Sequence, residues 1–242
     1  MDHQEQKLVH VSTGPVELEG NLSLTSNASG IVLFSHGSGS SRHSPRNRFV
    51  AEQLQQAGLA TLLIDLLTAE EEIADRISGH LRFDIQLLAQ RLGCVTDWLK
   101  QNPSTRALKI GYFGASTGAG AALLTAADHP QDVAAIVSRG GRPDLAGDAL
   151  LLVKAPTLLI VGGEDPDVIR LNETALAQIP GEKRLDIIPG ATHLFEESGT
   201  LEQVASLARQ WFARYLLSAT AHPSSANFVK RNGLNPPQKE LN

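Results

Sequence analysis

Apolar and polar residues change their period several times along the chain, and each change marks an element. Leu8-Val-His-Val-Ser12 and the stretch from Val16 to Thr25 alternate apolar and polar residues on either side of Thr13-Gly14-Pro15. A period of two broken by Gly-Pro predicts an antiparallel hairpin with one buried face. Ile31-Val-Leu-Phe34 is a continuous apolar run, as expected of a strand covered on both faces, and Leu59 to Ile64 reads as the next buried strand. Between them, Ser44-Pro45 supplies a cap and a first-turn proline and Gly58 a C-terminal stop, so a helix is predicted there. Thr68 to Gly79, with Glu70, Glu71 and Glu72 in a row, reads as a long loop or a short helix. From Leu81 the spacing turns helical, through Ile85, Leu88, Leu92, Val95 and Leu99. Leu108 to Phe113, Ala134 to Ser138, Pro156 to Gly163 and Arg184 to Gly190 read as further strands. Thr200-Leu-Glu-Gln203 has the form of a capping box opening a last helix, with Leu201, Val204, Ala208, Trp211 and Tyr215 as its buried stripe.

Strands alternating with helices predict an α/β fold: a mainly parallel sheet begun by an antiparallel hairpin, with helices on both faces. Ligands of such sheets bind at the carboxyl ends of the strands, which singles out the loops after Phe34, Ile64, Phe113, Ser138, Val161 and Ile188. The span 139–156 is too short to hold a helical cap domain. After Leu217 the chain turns rich in Pro, Ser, Asn and charge, so residues 1–218 are expected to form one domain and 219–242 a polar tail.

Composition narrows the partners. A net charge of −5 with a pI near 5.9 argues against nucleic acid or an acidic membrane as the main partner. Cys94 stands alone, which excludes a disulfide framework and points to a reducing compartment. No apolar leader opens the chain and no apolar run is long enough for a membrane span, so a cytoplasmic location is expected. No Cys/His or carboxylate cluster has metal-ligand spacing; neither metal nor cofactor is expected, and the partner is a small-molecule substrate. Oligomeric state is left open.

The chemistry centres on Gly114-Ala115-Ser116-Thr117-Gly118, set between an apolar strand and a helix of very small residues. Gly-x-Ser-x-Gly in that setting is the nucleophile elbow, a turn so sharp that the serine needs nearly side-chain-free neighbours. A serine hydroxyl is a weak nucleophile and needs a base oriented by a carboxylate, which follow this elbow in the order acid, then histidine. Downstream of Ser116 lie His129, His193 and His222. His129 falls at a helix end on the wrong edge and His222 in the tail, whereas His193 follows the last strand directly. In Gly162-Gly-Glu-Asp-Pro-Asp-Val168, Glu164, Asp165 and Asp167 compete as the acid; Asp165 lies just past the strand end, and Asp167 is expected to cap the next helix. An oxyanion needs two preorganised donors. These are expected to be the amide of Thr117 and, from His36-Gly37-Ser38-Gly39, that of Ser38, with His36 bonding within its own loop.

Ser35-His-Gly-Ser-Gly-Ser-Ser-Arg42, Phe113-Gly-Ala-Ser-Thr-Gly-Ala-Gly120, Ser138-Arg-Gly-Gly-Arg-Pro-Asp-Leu145 and Pro189-Gly-Ala-Thr-His-Leu-Phe-Glu-Glu197 together resemble the dienelactone hydrolase branch of the α/β-hydrolases. The resemblance runs from about residue 8 to 217 and implies the triad Ser116, Asp165 and His193. The namesakes of the family use a cysteine nucleophile, and this chain departs from them with serine. Similar domains also occur joined to a phosphoribosyltransferase domain, and no part of this sequence reads as one. The expected activity is hydrolysis of a small soluble ester, lactone or thioester. Arg139 and Arg142, in the glycine-rich loop beside the elbow, either present guanidinium forks to a substrate anion or pair with nearby acids such as Asp144. Two other classes compete. A non-catalytic binding or scaffold protein on the same fold is one. The other is a nicotinamide dinucleotide site at Gly37-Ser-Gly-Ser-Ser41 with Asp65, in which Arg42 stands where the third glycine belongs.

Overall fold

The computed structural model describes residues 5–217, so the tail expected at 219–242 lies outside the described residues. Strands β1 (Glu5–Ser12) and β2 (Glu17–Leu24) form the expected hairpin, in register from Glu5 opposite Leu24 to Ser12 opposite Glu17. β2 continues antiparallel onto β4 (Ala60–Ile64). The remaining strands, β3 (Gly30–Ser35), β5 (Lys109–Ala115), β6 (Val133–Arg139), β7 (Thr157–Gly162) and β8 (Lys183–Ile188), are parallel to β4. The order across the sheet is β1-β2-β4-β3-β5-β6-β7-β8. From β3 the chain steps back to β4 and then crosses over to β5. The helices that follow β3 and β5 therefore lie on opposite faces of the sheet, and the carboxyl ends of these two strands are where such sheets bind ligands.

Helices α1 (Pro45–Gln56) and α6 (Thr200–Leu216) cover one face of the sheet, packing on Val32, Phe34, Phe113, Ala135 and Val137. Helices α3 (Ile85–Gln101), α4 (Thr117–Asp128) and α5 (Pro166–Gln178) cover the other, over Leu33, Ile110, Tyr112 and Ile136. Alternate residues of each central strand thus serve opposite cores, which is why these runs are mostly apolar, with Thr61 the one polar residue inside β4. The span 139–156 holds a kinked run of 3-10 turns, Pro143–Leu152, and among the described residues no cap domain stands over the strand ends.

One helix start differs from expectation, and the alternative left open at 68–79 resolves to a helix. The box at Thr200-Gln203 does not form: Gly199, at φ 80°, takes the N-cap position, and the Thr200 hydroxyl donates back to Glu197 O at 2.7 Å. Accordingly the buried stripe of α6 is Val204, Ala205, Ala208, Trp211, Phe212 and Leu216, with Leu201 and Tyr215 only partly buried. A reciprocal box forms instead at Thr68, whose hydroxyl accepts from Glu71 N (3.2 Å) while Glu71 accepts from Thr68 N (2.9 Å). That box, with three glutamates facing the positive end of the helix dipole, makes 69–78 a helix, α2 (Ala69–Ser78), rather than a loop. Among the described residues no helix is long and apolar enough to cross a membrane.

Candidate active site

Ser116 stands alone between the last residue of β5 and the first of α4, at φ 49° and ψ −124°. A non-glycine residue at positive φ costs on the order of 1–3 kcal/mol and persists only where its surroundings hold it. Here Ser116 N donates to Arg139 O (3.3 Å), and Ser116 O accepts from Ala119 N (3.1 Å) and Arg142 N (3.0 Å). The loop after β6 therefore clamps the elbow from the side. From below, α4 presses on the end of β3 so closely that a Cβ on Gly118 would lie 2.2 Å from Ser35 O. The residues around the elbow are buried and Ser116 alone is partly exposed, with no hydrogen-bond partner for its Oγ among the described residues.

The acid and base come together across the ends of β7 and β8. Gly163 N donates to Ile188 O (2.8 Å) and Glu164 N to Ala191 O (2.9 Å), and a Cβ on Gly162 would lie 2.3 Å from Ala191 O. Only glycine allows this approach of the two loops. It delivers Asp165 Oδ2 to 2.6 Å from His193 Nδ1. A carboxylate can only accept, so Nδ1 carries the proton of this bond, and in the neutral form of the ring Nε2 keeps its lone pair. Asp165 occupies the N-cap position of α5 but spends its side chain on His193 rather than on the helix. Asp167 does not cap that helix; it lies in the first turn, 81% exposed, and pairs with Arg170. Glu164 is exposed, and His129 closes α4, with Nδ1 3.6 Å from Asp132. His222 lies outside the described residues.

Residues that the sequence did not single out shape the histidine loop. Glu197 accepts from both the amide (3.0 Å) and the hydroxyl (2.6 Å) of Thr192, and the hydroxyl bond foremost holds its carboxyl below the usual range. Phe195, fully buried at φ 57°, anchors the far side of the loop. Gly140 passes behind the imidazole, where a Cβ would lie 3.6 Å from His193 Cε1. The only signal for the first contact was an acid five residues after a threonine.

In the loop after β3, His36 Nδ1 lies 3.0 Å from Gly37 O, a bond within the loop as expected. Asp65 takes the amide of Arg42 (2.6 Å) and its guanidinium, which also reaches Glu19. The acid that a dinucleotide site would offer to a ribose is thus already engaged. The Thr117 amide has no acceptor among the described residues, as suits an oxyanion donor at the start of a helix. Ser38 N, however, donates to Thr117 Oγ1 at 2.9 Å.

The two arginines of the β6 loop part company. Arg142 grips Asp144 with two bonds, Nε to Oδ1 at 2.9 Å and Nη2 to Oδ2 at 2.7 Å, and that pairing raises its pKa. Arg139 continues the alternation of Ala135 and Val137 toward the other face and is 7% exposed. Its guanidinium lies 6.0 Å from the centre of the Phe195 ring, and Nε and Nη1 have no partner. Burial, reinforced by the neighbouring Arg46, pulls its pKa down to about 10. It remains a cation at neutral pH, buried with no acid against it among the described residues.

A provisionally named phosphoribosyl transferase of Mycobacterium tuberculosis is 62% identical over 208 residues, covering 86% of this chain and 46% of that protein. The chain thus spans about half the length of the curated relatives it matches. The crystal structure of a dienelactone hydrolase from Anabaena variabilis is 65% identical, with a TM-score of 0.87 over 88% of this chain and 99% of that one. The esterase Est1E of Butyrivibrio proteoclasticus shares the fold at 16% identity, with a TM-score of 0.72 over 86% of this chain and 98% of its own. A family model for the dienelactone hydrolases matches residues 20–216, the span that contains the elbow, both facing loops and the whole parallel sheet. The chain belongs to the dienelactone hydrolase family, within the α/β-hydrolases.

Proposed function

We propose that this chain is a serine hydrolase that cleaves a small soluble ester, lactone or thioester through an acyl-enzyme on Ser116. The observation that carries this reading is the Asp165–His193 bond of 2.6 Å past the ends of β7 and β8, on the same carboxyl edge of the sheet as a serine held at φ 49° past the end of β5. Strain of that kind is kept where a function uses it, which weighs against a non-catalytic scaffold. In the proposed reaction Ser116 Oγ attacks the carbonyl carbon while its proton passes to His193 Nε2. The carbonyl oxygen becomes an oxyanion facing the Thr117 amide. Collapse breaks the bond to the leaving oxygen or sulfur, which takes the proton from His193. Water then repeats the sequence on the acyl-serine and frees the acid. With no cap over the strand ends among the described residues, a small soluble substrate suits the site better than a long-chain lipid. The half-buried, unpaired Cys94 fits a reducing, cytoplasmic setting. The transferase name of the Mycobacterium tuberculosis relatives describes proteins about twice as long, and this chain's own residues support hydrolysis.

A fluorophosphonate probe tests the assignment, because it phosphonylates only a serine activated in this way. Labelling is expected to map to Ser116; a folded protein left unlabelled, or labelled elsewhere, overturns it.

Arg139 supplies the selectivity in this reading. Its guanidinium is a buried charge beside Phe195 of the histidine loop, with no acid against it among the described residues, and through that charge it favours a substrate that bears a carboxylate or phosphate, whereas Arg142 holds the loop through Asp144. Arg139→Ala is expected to lower kcat/KM for a carboxylate-bearing short ester by about 10- to 100-fold, the worth of one charged hydrogen bond, and to spare its neutral analogue. Equal losses on both substrates would make Arg139 a scaffold residue.

A further inference from the structure

The Ser38 amide has a single proton, and it is committed to Thr117 Oγ1 at 2.9 Å. A hydroxyl that accepts one hydrogen bond still has its own proton to give. That of Thr117 finds no acceptor among the described residues, although the side chain is only 4% exposed. Thr117 therefore has two uncommitted donors, its amide N–H and its Oγ–H, on the residue that follows the nucleophile. The loop carrying Ser38 closes on the serine directly: a Cβ on Gly37 would lie 2.9 Å from Ser116 Cβ. The Thr117–Ser38 contact thus borders the space that a carbonyl oxygen bound at Ser116 would fill.

We infer that the Thr117 hydroxyl is the second oxyanion donor, and that the Ser38 amide acts through it. The inference rests on the hydrolase reading of Ser116. Accepting from Ser38 fixes the threonine side-chain rotation, so the hydroxyl is oriented before substrate arrives. The same bond polarises the O–H and strengthens the hydrogen bond it donates, as happens along any chain of hydrogen bonds in a low-dielectric site. One residue then offers both protons to the developing charge. The covalent steps are unchanged: the hydroxyl keeps its proton throughout and only shares it with the oxyanion.

The test compares Thr117→Val, which keeps the shape and removes the hydroxyl, with Thr117→Ser, which keeps the hydroxyl. Both are assayed on a short activated ester beside a wild type checked for fluorophosphonate labelling at Ser116. The valine variant is expected to lose about 10²- to 10³-fold in kcat, the cost of one oxyanion donor, with KM little changed. The serine variant is expected to stay within a few-fold of wild type. Affinity for an aryl boronic acid, whose tetrahedral adduct places a negative oxygen in the same position, should fall with kcat in the valine variant at an unaltered melting temperature. A merely structural threonine would not produce that pattern. Should the valine variant fold poorly, Thr117→Ala read against Thr117→Ser makes the same comparison. Valine or alanine variants as active as wild type, or faster, overturn the inference, because the released Ser38 amide would then be the direct donor. Absence of labelling at Ser116 in the wild type removes the hydrolase reading and this role together. Labelling with an indifferent valine variant removes only the role of Thr117.

Discussion

Ser116→Ala is expected to lower kcat for a short activated ester by a factor of at least about 10³, with the melting temperature little changed. The loss follows from removing the attacking oxygen, since neither His193 nor Asp165 can replace it from the ends of β8 and β7. Alanine inherits the same positive φ as serine, because both carry a Cβ. The elbow is therefore neither relaxed nor further strained, and the hydrogen bonds of Ser116 N and O to the β6 loop and α4 remain available. A glycine there would relieve the strain and confuse the comparison. Hydrolysis by the alanine variant at the wild-type rate would remove Ser116 from the mechanism.

The parts of this site that the sequence revealed are those fixed by the sheet. A buried parallel strand announces itself as an apolar run, and the chemistry of such a sheet sits one or two residues past the ends of those runs. Ser116 stands out by its Gly-x-Ser-x-Gly turn, and Asp165 and His193 by their places just past the last two strands, and the structure brings Asp165 and His193 into contact. Side-chain contacts between loops were not legible. Ser38 N meets Thr117 Oγ1 across a separation of 79 residues, and no local pattern carries that distance. Thr192 and Glu197 illustrate the same limit within one loop, where the turn geometry decides the partner. Arg139 and Arg142 looked alike in sequence. Arg142 has an acid two residues on, while strand alternation sends Arg139 to the α1 and α6 face, where Phe195 and Arg46 meet it instead. Helix starts misled for a related reason. Threonine at 200 and threonine at 68 both open a box pattern, but a left-handed glycine at 199 starts α6 one residue early.

Asp165→Asn is expected to lower kcat by about 10³- to 10⁴-fold, while Asp167→Asn leaves it within about twofold of wild type. The two positions are two residues apart and chemically identical, so the contrast isolates geometry. Asp165 is 16% exposed and bonded to His193 Nδ1; Asp167 is 81% exposed and engaged with Arg170 at the surface of α5. An asparagine at 165 keeps the size of the side chain and offers an N–H where the carboxylate offered a lone pair. The imidazole can then accept at Nδ1 and carry its proton on Nε2, which leaves no lone pair there to take the serine proton. The imidazolium formed during attack also loses the negative charge that stabilises it. Asp167→Asn removes only an exposed ion pair, which contributes between zero and about 1 kcal/mol to stability and nothing to the base. The measurement is kcat for both variants on one neutral short ester, with melting temperatures to show that each is folded. The opposite ranking would transfer the acid to Asp167 and separate the 2.6 Å contact from catalysis.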